Sequence, residues 1–82
     1  MSQHYADGQF EGKIVIFTYG YDAPLREYFL SAETKDDRWE LVGTLGQAYG
    51  NHYNLYSAMV EHGIWGKIPA NHQVAIMGDL PF

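Results

Sequence analysis

The sequence predicts a small α+β domain in which one amphipathic helix packs on one face of an antiparallel sheet. A chain of 82 residues is long enough for a single domain, here residues 1–82. Two apolar segments rich in β-branched and aromatic residues are typical of strands, and one long segment has helical periodicity. We expect a three-stranded meander, then a helix over residues 45–62, then a final strand. The alternative order is βαβαβ.

The first twelve residues are polar and contain Asp7-Gly8, a dipeptide that favours two-residue hairpin turns. They predict either a short hairpin between His4–Ala6 and Gln9–Glu11 or a frayed end. The main sheet is expected to begin only after this segment.

Residues 13–19, with the sequence KIVIFTY, form the clearest predicted strand. Its apolar side chains do not alternate with polar ones, since Ile14 and Ile16 point to one face and Val15 and Phe17 to the other. Both faces of this strand are therefore expected to be buried. One helix covers only one face of a sheet, so the second face needs the terminal residues, a second copy or another protein.

Residues 26–32, with the sequence REYFLSA, are compatible with a strand or a helix. Four apolar side chains would share one helical face: Leu25, Tyr28, Phe29 and Ala32. Leu30 would not lie on that helical face. A hairpin is favoured, because the loop ETKDD leads into residues 38–42, where apolar and charged side chains alternate.

Residues 44–63 give the strongest helix prediction, with an apolar side and a polar side. Thr44 and Gln47 form a capping box, in which each side chain bonds the other residue's backbone N–H. Gly63 is placed to end the helix in a left-handed conformation, with Ile64 folding back on the last turn.

After the helix, residues 66–71 predict a loop and residues 73–77, QVAIM, predict a short final strand. Trp65 lies between the helix and this loop. We expect it to close the end of the core, and the alternative is an exposed anchor for a partner.

The composition argues against several classes of function. Net charge is −5, and the five basic residues are scattered rather than arranged in a stripe, so direct nucleic-acid binding is not expected. Because there is no cysteine, disulfides and thiolate metal sites are excluded. The longest apolar run, residues 14–17, is too short to cross a membrane, and no signal peptide is evident at the N-terminus. These features predict a cytoplasmic protein.

No motif for catalysis, phosphate binding or a cofactor is present. His52, His62 and His72 are spaced ten residues apart, but ten helical residues separate the first two by about 15 Å along the axis and put them on different faces. We therefore predict no metal site, no cofactor and no catalytic residue.

His52 is an ionisable imidazole near the middle of the apolar side of the helix. One hypothesis is that its ring is buried and neutral, bonded to a carbonyl or a tyrosine hydroxyl. The other is a small ligand pocket formed by His52 with Tyr49, Tyr53 and Tyr56.

Two functions are consistent with these features. The first is a non-enzymatic interaction module, with an accessory, regulatory or inhibitory role of the kind mobile elements often encode, that binds a protein partner or a second copy of itself. Its predicted contact residues are aromatic or apolar: Val15, Phe17, Tyr19, Tyr21 and Trp65. The second is a small-ligand binder or minor enzyme built around His52.

Overall fold

The computed structural model describes residues 3–22, 27–42, 51–80 and 82. In this described part of the chain, four strands are followed by two α-helices with a short 3-10 helix between them. In chain order the elements are β1 (His4–Phe10), β2 (Lys13–Asp22), β3 (Glu27–Glu33), β4 (Arg38–Val42), α1 (Asn51–Glu61), the 3-10 helix Trp65–Lys67 and α2 (Ala70–Met77). The α+β class is confirmed, whereas the predicted order of elements and its βαβαβ alternative are wrong.

The sheet is an antiparallel meander in the order β1-β2-β3-β4. Glu11 and Gly12, with φ of 52° and 78°, turn the chain between β1 and β2, as expected for a hairpin with two left-handed turn residues. The predicted hairpin around Asp7-Gly8 is wrong, because both residues lie inside β1. Glycine is needed at position 8 because the Phe17 ring packs closely against the backbone there. A Cβ at Gly8 would lie 2.7 Å from that ring.

Strand β3 pairs with both β2 and β4, so the preference for a hairpin over a helix in this part of the chain is confirmed. The β3–β4 loop is closed by Thr34, whose hydroxyl accepts the backbone N–H groups of Asp36 and Asp37 at 3.3 and 3.1 Å. The register shifts once between β3 and β4, at Leu30 and Ser31.

The end of α1 is as predicted. Gly63 has φ of 74°, its N–H donates to the carbonyl of Val60 at 3.1 Å, and the N–H of Ile64 donates to that of Met59 at 2.9 Å. This pair of bonds is the Schellman motif. The proposed capping box of Thr44 and Gln47, and Tyr49, lie outside the described residues.

The predicted final strand at residues 73–77 is wrong, because these residues belong to α2. Pro69 precedes the helix and Gly78 follows it, an arrangement typical of helix boundaries. Ala75 and Ile76 are buried against the core, and this tertiary packing outweighs the strand propensity of the β-branched residues.

Both helices pack on the same face of the sheet. That face carries alternate residues of β2, namely Val15, Phe17 and Tyr19, which are all buried. The core is completed by Leu55 and Met59 of α1, by Ile64 in the turn after α1, and by Ile76 of α2. The expectation that both faces of β2 are buried is wrong at Ile14 and Ile16, which lie on the other face and are 81% and 46% exposed. Thr18, on that same face, is buried.

Candidate functional site

A hydrogen bond between Tyr19 and His72 joins β2 to α2. The Tyr19 oxygen lies 2.7 Å from Nδ1 of His72. Burial raises the pKa of Tyr19 to about 12, so its hydroxyl is protonated at neutral pH. The hydroxyl donates to Nδ1 of His72 when that nitrogen carries no hydrogen, and accepts from it when it does.

His4 of β1 lies beside this pair. The His4 and His72 ring centroids are 4.1 Å apart, with an interplanar angle of 48°. The pKa of His72 is lowered, first by burial and then by the proximity of His4. Nε2 of His4 is buried and has no hydrogen-bond partner in the structure, which is an uncommon and costly arrangement.

A second polar contact joins β3 to the residues after α2. The Tyr28 hydroxyl donates to Oδ1 of Asp79 at 2.6 Å. Burial first, and then the bond to Asp79 and its negative charge, raise the pKa of Tyr28. Nδ1 of His52 lies 3.7 Å from the same carboxylate oxygen. His52 therefore lies at the edge of a Tyr28–Asp79 pair that the sequence did not reveal.

The ring of Phe82 lies among four other rings, with centroid distances of 5.5 Å to His4, 6.0 Å to Tyr19, 6.3 Å to Tyr28 and 5.6 Å to His72. We call the group of these four rings the aromatic cage. It combines residues from three strands and α2, and Phe82 lies among its rings.

The predicted ligand pocket around His52 is not assembled as expected. Tyr53 is exposed, and Tyr56 meets the edge of Trp65 at 4.8 Å. No ring contact joins His52 to Tyr53 or Tyr56 in the described part of the chain. The helix turns Tyr56 toward Trp65, whereas His52 faces Tyr28.

Three of the predicted partner-binding residues lie in the core. Val15, Phe17 and Tyr19 form the core beneath the helices, so their side chains are not available to a partner in this fold. Tyr21 and Trp65 are half-buried beside the core. The Trp65 carbonyl accepts the Gln73 side-chain amide at 2.8 Å, which ties the 3-10 helix to α2. A partner-binding role for Tyr21 and Trp65 stays a prediction.

The sheet face opposite the helices, which we call the open face, carries the exposed apolar side chains of β2. Ile16 lies directly between Asp7 of β1 and Glu33 of β3. In the next row Thr18 lies between Tyr5, which is exposed, and Ser31. Ile14 and Ile16 thus form an apolar strip on the open face, with a carboxylate on each side of Ile16.

A cleft of about 180 Å³ opens on the same face. Its lining residues are Gln3, Asp22, Phe29, Leu30, Ser31, Arg38 and Glu40. Ser31 is only 2% exposed, and its hydroxyl has no hydrogen-bond partner. A wider hollow of about 720 Å³ lies between Ile14, Ile16 and the β3–β4 loop. Sequence patterns contained no signal for the cleft, because its residues meet only through strand register.

Among the residues that the structure describes, no group of three or more histidine or acidic side chains is arranged to hold a metal ion. None of the described helices has the length and apolar character needed to cross a bilayer. Comparison with known proteins finds no matching family model, no matching curated protein and no matching solved structure.

Proposed function

We propose that this chain is a protein-interaction module that binds a basic protein partner through the open face of its sheet. The observation that carries the proposal is the exposure of Ile14 and Ile16, two large apolar side chains on a sheet face that neither described helix covers. Burial of apolar surface in the centre of a contact is the main favourable contribution to association.

The charges around the strip favour a basic partner over a second copy. Register places the acidic residues Asp7, Asp22, Glu33 and Glu40 on the open face, where the basic residue in the described sheet is Arg38. The whole chain carries a net charge of −5. Two copies face to face would bring carboxylates together, and such like-charge contacts disfavour association. Lysine or arginine side chains around an apolar contact would complement this surface.

The cleft next to the strip supplies a recess for one partner side chain. Interfaces derive most of their binding energy from a few side chains that fill such recesses. Ser31 offers a buried hydroxyl without a partner, and Phe29 offers an aromatic wall. The strip and the cleft together form a contact surface with an apolar centre and a polar rim.

The proposal is tested by substitution on the open face with a matched control. Ile16→Asp puts a charge into the strip, whereas Val74→Asp puts the same charge on an exposed apolar position of α2. Partners captured by the wild-type chain would be purified, and their binding to each variant measured by calorimetry at two salt concentrations. We expect a partner with a basic surface whose binding is lost in Ile16→Asp, kept in Val74→Asp and weakened by salt.

Light scattering of the isolated chain completes the test. A monomer is expected up to high concentration. A stable dimer that Ile16→Asp dissociates would show that a second copy covers the open face, and binding that survives Ile16→Asp would place the contact elsewhere. Either result contradicts the proposal.

A further inference from the structure

The aromatic cage lies on the helix side of the sheet, away from the open face. Its walls come from His4, Tyr19, Tyr28 and His72, and Phe82 lies nearly parallel to the rings of His4 and Tyr28, at 22° and 20°. Stacked and tilted ring arrangements at these distances are favourable. The four rings of the cage therefore accommodate a flat ring.

Phe82 leaves one polar group of the cage unsatisfied. Nε2 of His4 is buried without a hydrogen-bond partner, and a phenylalanine ring offers neither a donor nor an acceptor. A buried polar atom without a partner loses its hydration and gains nothing in return. A ring that carries a hydroxyl group can serve as donor or acceptor, so it suits either tautomer of His4.

The backbone between α2 and Phe82 has hydrogen bonds of its own. Asp79 N–H donates to the Ile76 carbonyl at 3.3 Å, and Leu80 N–H donates to the Ala75 carbonyl at 2.8 Å. Neither bond involves Phe82, so a ring that takes the place of the Phe82 ring leaves both bonds at the end of the helix intact.

We propose that the aromatic cage is a binding site for a small phenolic ring, and that Phe82 occupies this site in the free chain. Binding displaces Phe82, and the hydroxyl group of the ligand pairs with Nε2 of His4. The site is independent of the open face, so its test does not depend on the proposed protein partner.

The experiment compares p-cresol with toluene, which has the same ring and methyl group but no hydroxyl. Each is titrated into the wild-type chain while the ring resonances of His4, His72 and Phe82 are followed by NMR. We expect p-cresol to bind about tenfold more tightly, the size of effect that one added hydrogen bond gives, and to shift the Phe82 resonances toward those of a solvent-exposed ring.

Two variants test whether the site recognises the hydroxyl group or binds any apolar ring. Phe82→Ala removes the competing ring and should tighten the binding of both compounds, and circular dichroism checks that its fold is kept. Adding His4→Phe to this variant should abolish the preference for p-cresol while toluene still binds. Equal affinities for the two compounds in Phe82→Ala, or a preference that survives His4→Phe, would overturn the proposal. If Phe82→Ala does not fold, the wild-type titration decides: no displacement of Phe82 by p-cresol contradicts the site.

Discussion

The Tyr19 hydroxyl and Nδ1 of His72 lie 2.7 Å apart and connect residues separated by 53 positions in the chain. Burial and the nearby His4 lower the pKa of His72, so the folded chain favours the neutral form of its ring. Among the described residues, the titratable groups in hydrogen-bond or ring contact with His72 are Tyr19 of β2 and His4 of β1. The docking of α2 is thereby linked to pH.

We expect the free energy of unfolding to fall as the solution is acidified. The pKa of His72 is lowered in the folded chain, so the unfolded chain binds more protons below the usual value of about 6.5. The stabilisation is fully present above about pH 6.5 and is lost as pH falls through the folded pKa. Urea denaturation between pH 7.5 and 5 measures this slope.

The matched control for this measurement is His62→Gln, since His62 packs on Phe10 and Phe17 rather than on another histidine. His72→Gln should flatten the pH dependence of unfolding, and His62→Gln should change it less. Equal slopes in His72→Gln and the wild type would contradict the assignment to His72.

Alkaline conditions should also destabilise the fold. Burial raises the pKa of Tyr19 to about 12, above its unfolded value of about 10. The stabilisation is present below about pH 10 and is lost as pH rises toward 12. Tyr19→Phe should reduce this alkaline dependence and remove the bond to His72, which costs about 1 kcal/mol at neutral pH. Tyrosinate absorbance during alkaline unfolding is the measurement, with exposed Tyr53→Phe as control.

Gly8→Ala should destabilise the fold by about 1–3 kcal/mol, because the added methyl group overpacks the core. A Cβ at Gly8 would lie 2.7 Å from the ring of Phe17 and 3.1 Å from Ile64, which are both fully buried. Gly66→Ala is the control, since a Cβ there meets nothing within 4 Å, and it should change stability by less than about 0.5 kcal/mol. Equal urea midpoints for the two variants would refute the packing role of Gly8.

Asp79 provides a hydrogen-bond acceptor and also adopts a left-handed backbone, and two substitutions distinguish these roles. It accepts the Tyr28 hydroxyl at 2.6 Å and adopts a left-handed backbone with φ of 56°. Asp79→Ala should cost about 1–3 kcal/mol through loss of the bond and backbone strain. Asp79→Asn should cost less, because asparagine tolerates this conformation and keeps an acceptor. Thermal or urea unfolding would establish this order, and a more stable Asp79→Ala would contradict it.

The side chain of Lys67 contacts the backbone of an edge strand. Strand β1 lies at the edge of the sheet, and Nζ of Lys67 donates to the carbonyl of Asp7 at 3.1 Å. Charged lysines near sheet edges oppose pairing with other chains. Lys67→Met should therefore increase association at high concentration, measured by light scattering, whereas Lys35→Met in the β3–β4 loop should not.

The sequence predicted the middle of the chain well because its signals there are local. Strand β2, the β3–β4 hairpin and the end of α1 at Gly63 follow from side-chain type and turn chemistry within a few residues. The predictions of local structure are wrong where tertiary packing, rather than local sequence, determines the conformation. Asp7-Gly8 has the stronger turn signal, yet Gly8 is needed against Phe17, so the turn forms at Glu11-Gly12 instead.

The candidate sites were less predictable than the fold. His52 could be singled out because it interrupts the apolar side of a predicted helix. Its neighbour Asp79 could not, because it follows α2, and the β-branched residues Val74 and Ile76 of α2 favour the prediction of a strand there. The aromatic cage joins residues from the two ends of the chain, and no local pattern relates them. The open face could be assigned only when register showed that Ile14, rather than Val15, faces away from the helices.

The bond between Tyr19 and His72 has a consequence for the order of folding. Each strand pairs with its neighbour in the chain, so the hairpins close short loops at low entropic cost. The two bonds that dock the region of α2 span 53 and 51 positions, and contacts this distant in sequence form slowly. During synthesis the strands also leave the ribosome before α2 does. The sheet is thus expected to form first, with Tyr19 and Tyr28 in contact with water until the helix arrives.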